Sequence, residues 1–267
     1  MGIVFQELAV LWRSRSLVWM LARRDIATRH SAAAGGVLWA YVQPLLMVAA
    51  YYLLFDVVFS MRVGDGSGHP RAAGQFLIVG ALPWMAFCDA ISRAMNSLVD
   101  AGSLLQKNAL PVVLFPARAV LASTVVFAPL VAFVTVAYAP VHHFSVAVLG
   151  VIPLLLLQLV LCVLLGYLLA VLAAALRDTL QIVTFFLSAG IFVSPVLFPL
   201  AMFPENWRWV LWLNPMTPFV VAYQSVLLQG SWPPAAVWLA PVGWICVSAV
   251  VLNLVVQRSR DELVDWL

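Results

Sequence analysis

Between Arg118 and Arg177 the chain carries no aspartate, glutamate, lysine or arginine. A soluble domain has no way to coat so long a charge-free stretch against water. Lipid removes the difficulty. A helix satisfies its own backbone hydrogen bonds in hydrocarbon, and about 20 apolar residues cross a core roughly 30 Å thick. The composition agrees, with 64% hydrophobic and 9% charged residues, where soluble domains carry about 25% charged. The fold class follows: an all-α integral membrane protein.

Six spans are predicted, at about 37–61, 75–99, 117–140, 145–176, 180–200 and 235–257. A seventh apolar stretch, 204–228, holds Asn214-Pro215 and Pro218. Proline removes a backbone donor and displaces the residue before it from helical geometry. The stretch therefore reads as two re-entrant half-helices. Charge supports this count. Six spans place Arg13, Arg15, Arg23, Arg24, Arg29, Lys107, Arg118, Arg177, Arg258 and Arg260 on one side, and only Arg62, Arg71 and Arg208 on the other. The positive-inside rule makes the first side cytoplasmic, with both termini there. The chain divides into an N-terminal region (1–36), a membrane domain (37–258) and a short tail (259–267). Leu8, Leu11, Trp12, Leu17, Trp19 and Leu21 among the first arginines predict an amphipathic helix lying in the interface.

Several function classes fall away. Glu7 interrupts the first apolar run and an arginine cluster follows, which is no signal peptide, and Gln6 stands where a myristoylation motif wants Ser or Thr. The net charge of +3 is scattered arginine, not a nucleic-acid stripe. Cys88, Cys162 and Cys246 form no CxxC and read as packing or lipid-facing residues. His142 and His143, with no carboxylate near in sequence, read as a solvated pair in an outer loop, and Gly64–Gly68 as another such loop. No metal ligand set and no catalytic residue is expected. The motif G-x-x-x-x-G-K-[ST] is missing, since the one lysine, Lys107, follows Gln106. If transport is ATP-driven, the ATPase is another polypeptide.

Three features remain. Asp89 and Arg93 lie four apart inside the second span and share a helix face. Each charge costs roughly 2.5–3.5 kcal/mol in a membrane helix on insertion scales. The pair is either a conduit lining or interhelical lock, or Arg93 snorkels to the surface with Asp89 as its neutralising partner. Gln43, Met47, Tyr51 and Phe55 recur every four residues on the first span. That face suits sugar rings against aromatic π-clouds, or plain helix packing. Residues 100–116 are too polar at their start for lipid. Leu104, Leu105 and Leu110 around Lys107 predict a short amphipathic turn, a docking surface or a plain connection.

Three segments carry a resemblance. LARRDIATRH…LWAYVQPLLMVAAYYLLFDVVF runs from Leu21 to Phe59, with Trp39 and Gln43-Pro44. FLIVGALPWMAFCDAISRAMNSLVDAGSLLQK runs from Phe76 to Lys107, with Leu82-Pro83-Trp84 and Asn96-Ser97. NWRWVLWLNPMTPFVVAYQSVLL carries Asn214-Pro215 and Pro218. In this order and spacing, over about Leu21 to Gln257, the chain resembles the permease subunit of type-2 ABC exporters, above all those exporting O-antigen, capsular or teichoic polysaccharides.

The resemblance implies a homodimeric channel in a bacterial inner membrane and two cytoplasmic P-loop ATPase subunits beneath it. It implies a lipid-linked polysaccharide as substrate. ATP and magnesium would sit on the ATPase, and no cofactor on this chain. Ser103, Leu104, Leu105, Gln106, Lys107 and Asn108 would form the coupling helix against the ATPase, and the N-terminal helix with Arg23 and Arg24 would help. Export of a drug or small lipid is the alternative within the superfamily. A membrane acyltransferase has only His142-His143 to build on. A secondary transporter usually buries more charge than Asp89 and Arg93.

Overall fold

The computed structural model describes residues 3–29, 35–60, 62–64, 70–107, 110–143 and 145–259. Helices α1 (Ile3–Arg13) and α2 (Arg15–Arg29) open the chain. They run almost continuously, because the Ser14 N–H donates to the Val10 carbonyl and the Val18 N–H to that of Ser14, both at 2.9 Å. Next come a 3-10 turn, Gly36–Leu38, and α3 (Trp39–Tyr51), which widens into a π-helical stretch, Tyr52–Val58. Strands β1 (Arg62–Gly64) and β2 (Pro70–Ala72) pair antiparallel.

The long α4 (Ala73–Asp100) follows, then α5 (Gly102–Lys107), α6 (Leu114–Ala137) and α7 (Ala139–His142). A 3-10 turn leads into α8 (Val151–Ala175), and α9 (Asp178–Gly190) ends in another 3-10 turn, Ile191–Val193. Then come α10 (Arg208–Trp212), α11 (Thr217–Gln224) with a π extension, Ser225–Gln229, and α12 (Ala235–Ser259).

Among the described residues, five stretches are long and apolar enough to cross a membrane: Gly36–Val58, Ala73–Asp100, Leu114–Ala137, Val146–Ala175 and Ala235–Ser259. These correspond to the first four predicted spans and the last. The predicted fifth, 180–200, differs. Its helix starts at Asp178 and the helical backbone stops at Val193. At ~1.5 Å per residue it is about 24 Å long, short of a full crossing. The cause is local: Ser194 precedes Pro195 and adopts extended geometry, φ −140° and ψ 147°, as a pre-proline residue prefers.

Helix α4 is the axis of the bundle. In its most apolar window 72% of the residues are buried, against 6% for Gly36–Val58. It packs on α6, α8 and α11. Small residues set the closest approach. A Cβ on Gly166 of α8 would lie 2.6 Å from the Ala94 Cβ of α4, so the pair lets two backbones touch as small residues do between membrane helices. A second cluster, Leu98, Leu105, Phe115, Tyr167, Leu168, Leu252 and Val256, closes the α5 end of the bundle. Helix α2 lies on α6, with Val18 packed against Leu114 and Ala117, and α1 reaches α12.

Candidate functional site

The predicted turn after the second span is a helix, α5. Leu105 is buried in the cluster with Phe115, Tyr167 and Leu252, while Ser103, Leu104, Gln106 and Lys107 stand exposed. One leucine thus anchors a six-residue helix that offers its polar face outward. Asn108 lies outside the described residues. Arg23 and Arg24 on α2 are exposed at the same end of the bundle, while Val18 and Ala22 hold that helix down.

Asp89 and Arg93 form the predicted pair: Arg93 Nε donates to Asp89 Oδ1 at 2.6 Å. Their side chains are 25% and 22% exposed. The pair lies within one helix, α4, and both readings of it contain this contact. Asp89 Oδ2 and Arg93 Nη1 are both buried without a hydrogen-bond partner among the described residues.

Gln43, Met47, Tyr51 and Phe55 lie along one stretch of the first span. Gln43 and Met47 are exposed, Tyr51 and Phe55 half-buried. The ring centroids of Tyr51 and Phe55 are 6.4 Å apart, and those of Phe55 and Phe59 are 6.0 Å apart. The four-residue face is corrected at its far end. From Tyr52 the helix is π, with the Phe59 N–H donating to the Leu54 carbonyl. Five-residue hydrogen bonding widens the turn, so positions four apart drift off one line. Asp56 in this stretch is not a lining charge. Its Oδ1 accepts the Gly74 N–H at 2.6 Å, tying the end of the span to the first turn of α4, where a carboxylate is favourable.

The segment predicted to be re-entrant holds two short helices, α10 and α11, and Asn214 explains the motif. Its Nδ2 donates to the carbonyls of Gly190 and Val193, at 3.2 and 3.4 Å, and its Oδ1 accepts the Met216 N–H at 3.0 Å. One side chain fastens the end of α9 and turns the chain into α11. Pro215 breaks the helix there, and Pro218 sits in the first turn of α11, where a missing N–H costs nothing.

The sequence reading missed the polar contacts behind this segment. Gln158 on α8 donates from Nε2 to the Pro83 carbonyl on α4 at 2.9 Å and accepts from the Tyr223 hydroxyl at 3.3 Å. Gln224 donates to the Pro195 carbonyl at 2.8 Å. Gln158 was visible as an amide inside a leucine run; nothing in the sequence names its partners.

His142 is corrected as well. It is buried, with Nε2 2.9 Å from the Thr135 carbonyl, while His143 alone is exposed. Gly64 begins a predicted outer loop of which residues 65–68 lie outside the described residues. Among the described residues no group of His, Cys, Asp or Glu gathers at metal-binding spacing.

Comparisons with known proteins bear on this arrangement as a whole. The O-antigen export system permease protein RfbA of Myxococcus xanthus is 27% identical over 260 residues, covering 96% of each chain. A protein of the same name from Klebsiella pneumoniae is 22% identical over 217 residues, covering 80% of this chain and 81% of its own. The polysialic acid transport protein KpsM of Escherichia coli is 21% identical over 244 residues, covering 90% of this chain and 91% of its own. The ABC-2 type transporter family matches residues 16–228. That match runs from α2 through the π turn after α11, taking in most of the bundle. This chain belongs to the ABC-2 type transporter family.

Proposed function

We propose that this chain is the membrane permease of an ATP-driven exporter that carries lipid-linked polysaccharide from the cytoplasm across a bacterial inner membrane. The observation that carries the reading is likeness over 96% of the chain to an O-antigen export permease, with a polysialic acid transport protein among the further relatives. The family is one of transporter membrane components rather than enzymes. The chain has no P-loop of its own, so hydrolysis, with ATP and magnesium, belongs to a separate ATPase chain.

In this reading residues 1–36 form the interfacial region, 37–258 the membrane domain and 259–267 a cytoplasmic tail. The α5 end is cytoplasmic, because the basic residues gather there. The exposed face of α5, with Arg23 and Arg24 nearby, docks the ATPase, two subunits beneath two copies of the chain. Helix α9 supplies the remaining crossing together with the segment it is pinned to. A second copy of the chain completes the conduit. Two helices support that: α9 buries no residue, and α3 buries only Pro44. The face from Gln43 to Phe55 and the Asp89–Arg93 pair are the substrate-path residues.

Deleting the gene tests the reading. Surface polysaccharide should disappear while lipid-linked glycan accumulates inside the cell, and the wild-type gene should reverse both. Unchanged surface glycan, with altered sensitivity to small amphiphiles, would favour export of a drug or small lipid.

A further inference from the structure

At the α5 end of the bundle, α2, α4 and α6 enclose an open polar cavity of about 460 Å³. Asp25 and Arg29 come from α2, Ser92, Arg93, Asn96 and Asp100 from α4, and Arg118 from α6. Asp100 lies seven positions beyond Arg93 on α4, about 10 Å at ~1.5 Å per residue. The polar wall therefore covers the last two turns of α4, at the α5 end of the bundle. Its cations are all arginine, and they come from three different helices.

The charges are only partly matched. Asp25 Oδ2 holds Arg29 at 3.0 Å. Asp89 holds Arg93 through Nε alone, leaving Nη1 buried and unpartnered. Among the described residues no carboxylate lies within ion-pair distance of Arg118, whose guanidinium rests over the Phe115 ring, 5.0 Å from its centroid. Asp100, the last residue of α4, is exposed. Arg93 thus has one nitrogen buried without a partner, Arg118 has no carboxylate at ion-pair distance among the described residues, and Arg29 lines the same cavity. Arginine in such numbers is costly inside a bilayer. Its planar fork matches phosphate oxygens two at a time, which an ammonium does not.

We propose that Arg29, Arg93 and Arg118 form a binding site for the phosphate group of a lipid lying in the adjacent leaflet. Ser92 and Asn96 supply neutral polar groups on the α4 wall. The site rests on the membrane placement, and on the export reading only for one of its two sources: the phosphate that links glycan to its carrier, or a phospholipid headgroup. Because α2 and α6 both contribute, an occupied cavity ties the N-terminal helix to the bundle.

The test uses the full-length protein in phosphatidylcholine nanodiscs and a fluorescent polyprenyl diphosphate, read by polarisation. Arg118→Gln should weaken binding about tenfold or more, Arg29→Gln should weaken it too, and Arg118→Lys should fall between. Arg118→Gln gives up the contact with the Phe115 ring, so thermal midpoints are measured alongside, and Arg118→Lys, which keeps a cation there, is the control for folding. Arg93→Gln is paired with Asp89→Asn so that no lone carboxylate is left buried. Displacement of the probe by phosphatidylglycerol assigns the site to phospholipid headgroups; resistance to it assigns the site to the carrier diphosphate.

Equal binding by wild type, Arg118→Gln and Arg29→Gln, all folded, overturns the proposal and makes the cavity a structural lock. The export reading is tested separately. It fails if the deletion strain keeps its surface glycan, whatever the permease binds.

Discussion

Gln158 joins three elements with one amide: its own α8, α4 through the Pro83 carbonyl, and α11 through the Tyr223 hydroxyl. Tyr223 is fully buried. Replacing Gln158 by Leu strands that hydroxyl and should cost roughly 0.5–1.5 kcal/mol, the range of interhelical hydrogen bonds in membranes. The Gln158→Leu, Tyr223→Phe double variant should recover most of the loss, since removing both partners leaves nothing unpaired. Thermal midpoints of the purified variants in one detergent measure both; a double variant worse than the single would count against the network.

Gly166 makes a second case. A valine there would drive into Ala94 and should cost about 1–3 kcal/mol through overpacking, seen as a lower midpoint or as aggregation on size-exclusion chromatography. At this scale the sequence was readable in kind but not in partner. Asn214 stood out beside Pro215, yet only the fold brings the Gly190 and Val193 carbonyls to it. His142 and His143 looked alike in sequence. They differ because α7 turns one ring onto the end of α6 and leaves the other at a positive φ of 49°.

Whole helices were more legible than single contacts. The second, third, fourth and sixth predicted spans fall within about a turn of α4, α6, the stretch ending in α8, and α12. Hydrophobic length is a property of the sequence alone, so this is expected. The fifth was overrun to residue 200 because apolarity continues past Ser194-Pro195, where helical geometry does not. The π widening after Tyr51 was invisible, since no residue type marks it.

Helix α5 was found from its polar start, and its orientation follows from Leu105. Leu105→Asp should loosen α5 from Phe115 and Tyr167 and lower the yield of assembled transporter. Replacing Lys107 and Asn108 together should weaken assembly with the ATPase while the permease stays folded. Co-purification with the tagged ATPase is the measurement, and undiminished recovery of the complex would remove α5 from the docking surface.

For the molecule as a whole, the basic residues at the α5 end predict an orientation. With Cys88, Cys162 and Cys246 replaced, a cysteine at Gln106 should resist a membrane-impermeant thiol reagent in spheroplasts and react after lysis. A cysteine at Asn206, exposed in the 3-10 turn Glu205–Trp207 before α10, should react in both. The reverse pattern would invert the topology that the arginine distribution implies.

If transport is divided between this chain and a separate ATPase, reconstitution separates the two activities. In proteoliposomes loaded with lipid-linked glycan, the permease alone should hydrolyse no ATP and move no glycan. Permease and ATPase together should move it when ATP is supplied. Substantial hydrolysis by the pure chain, or glycan movement without the ATPase, would contradict the account.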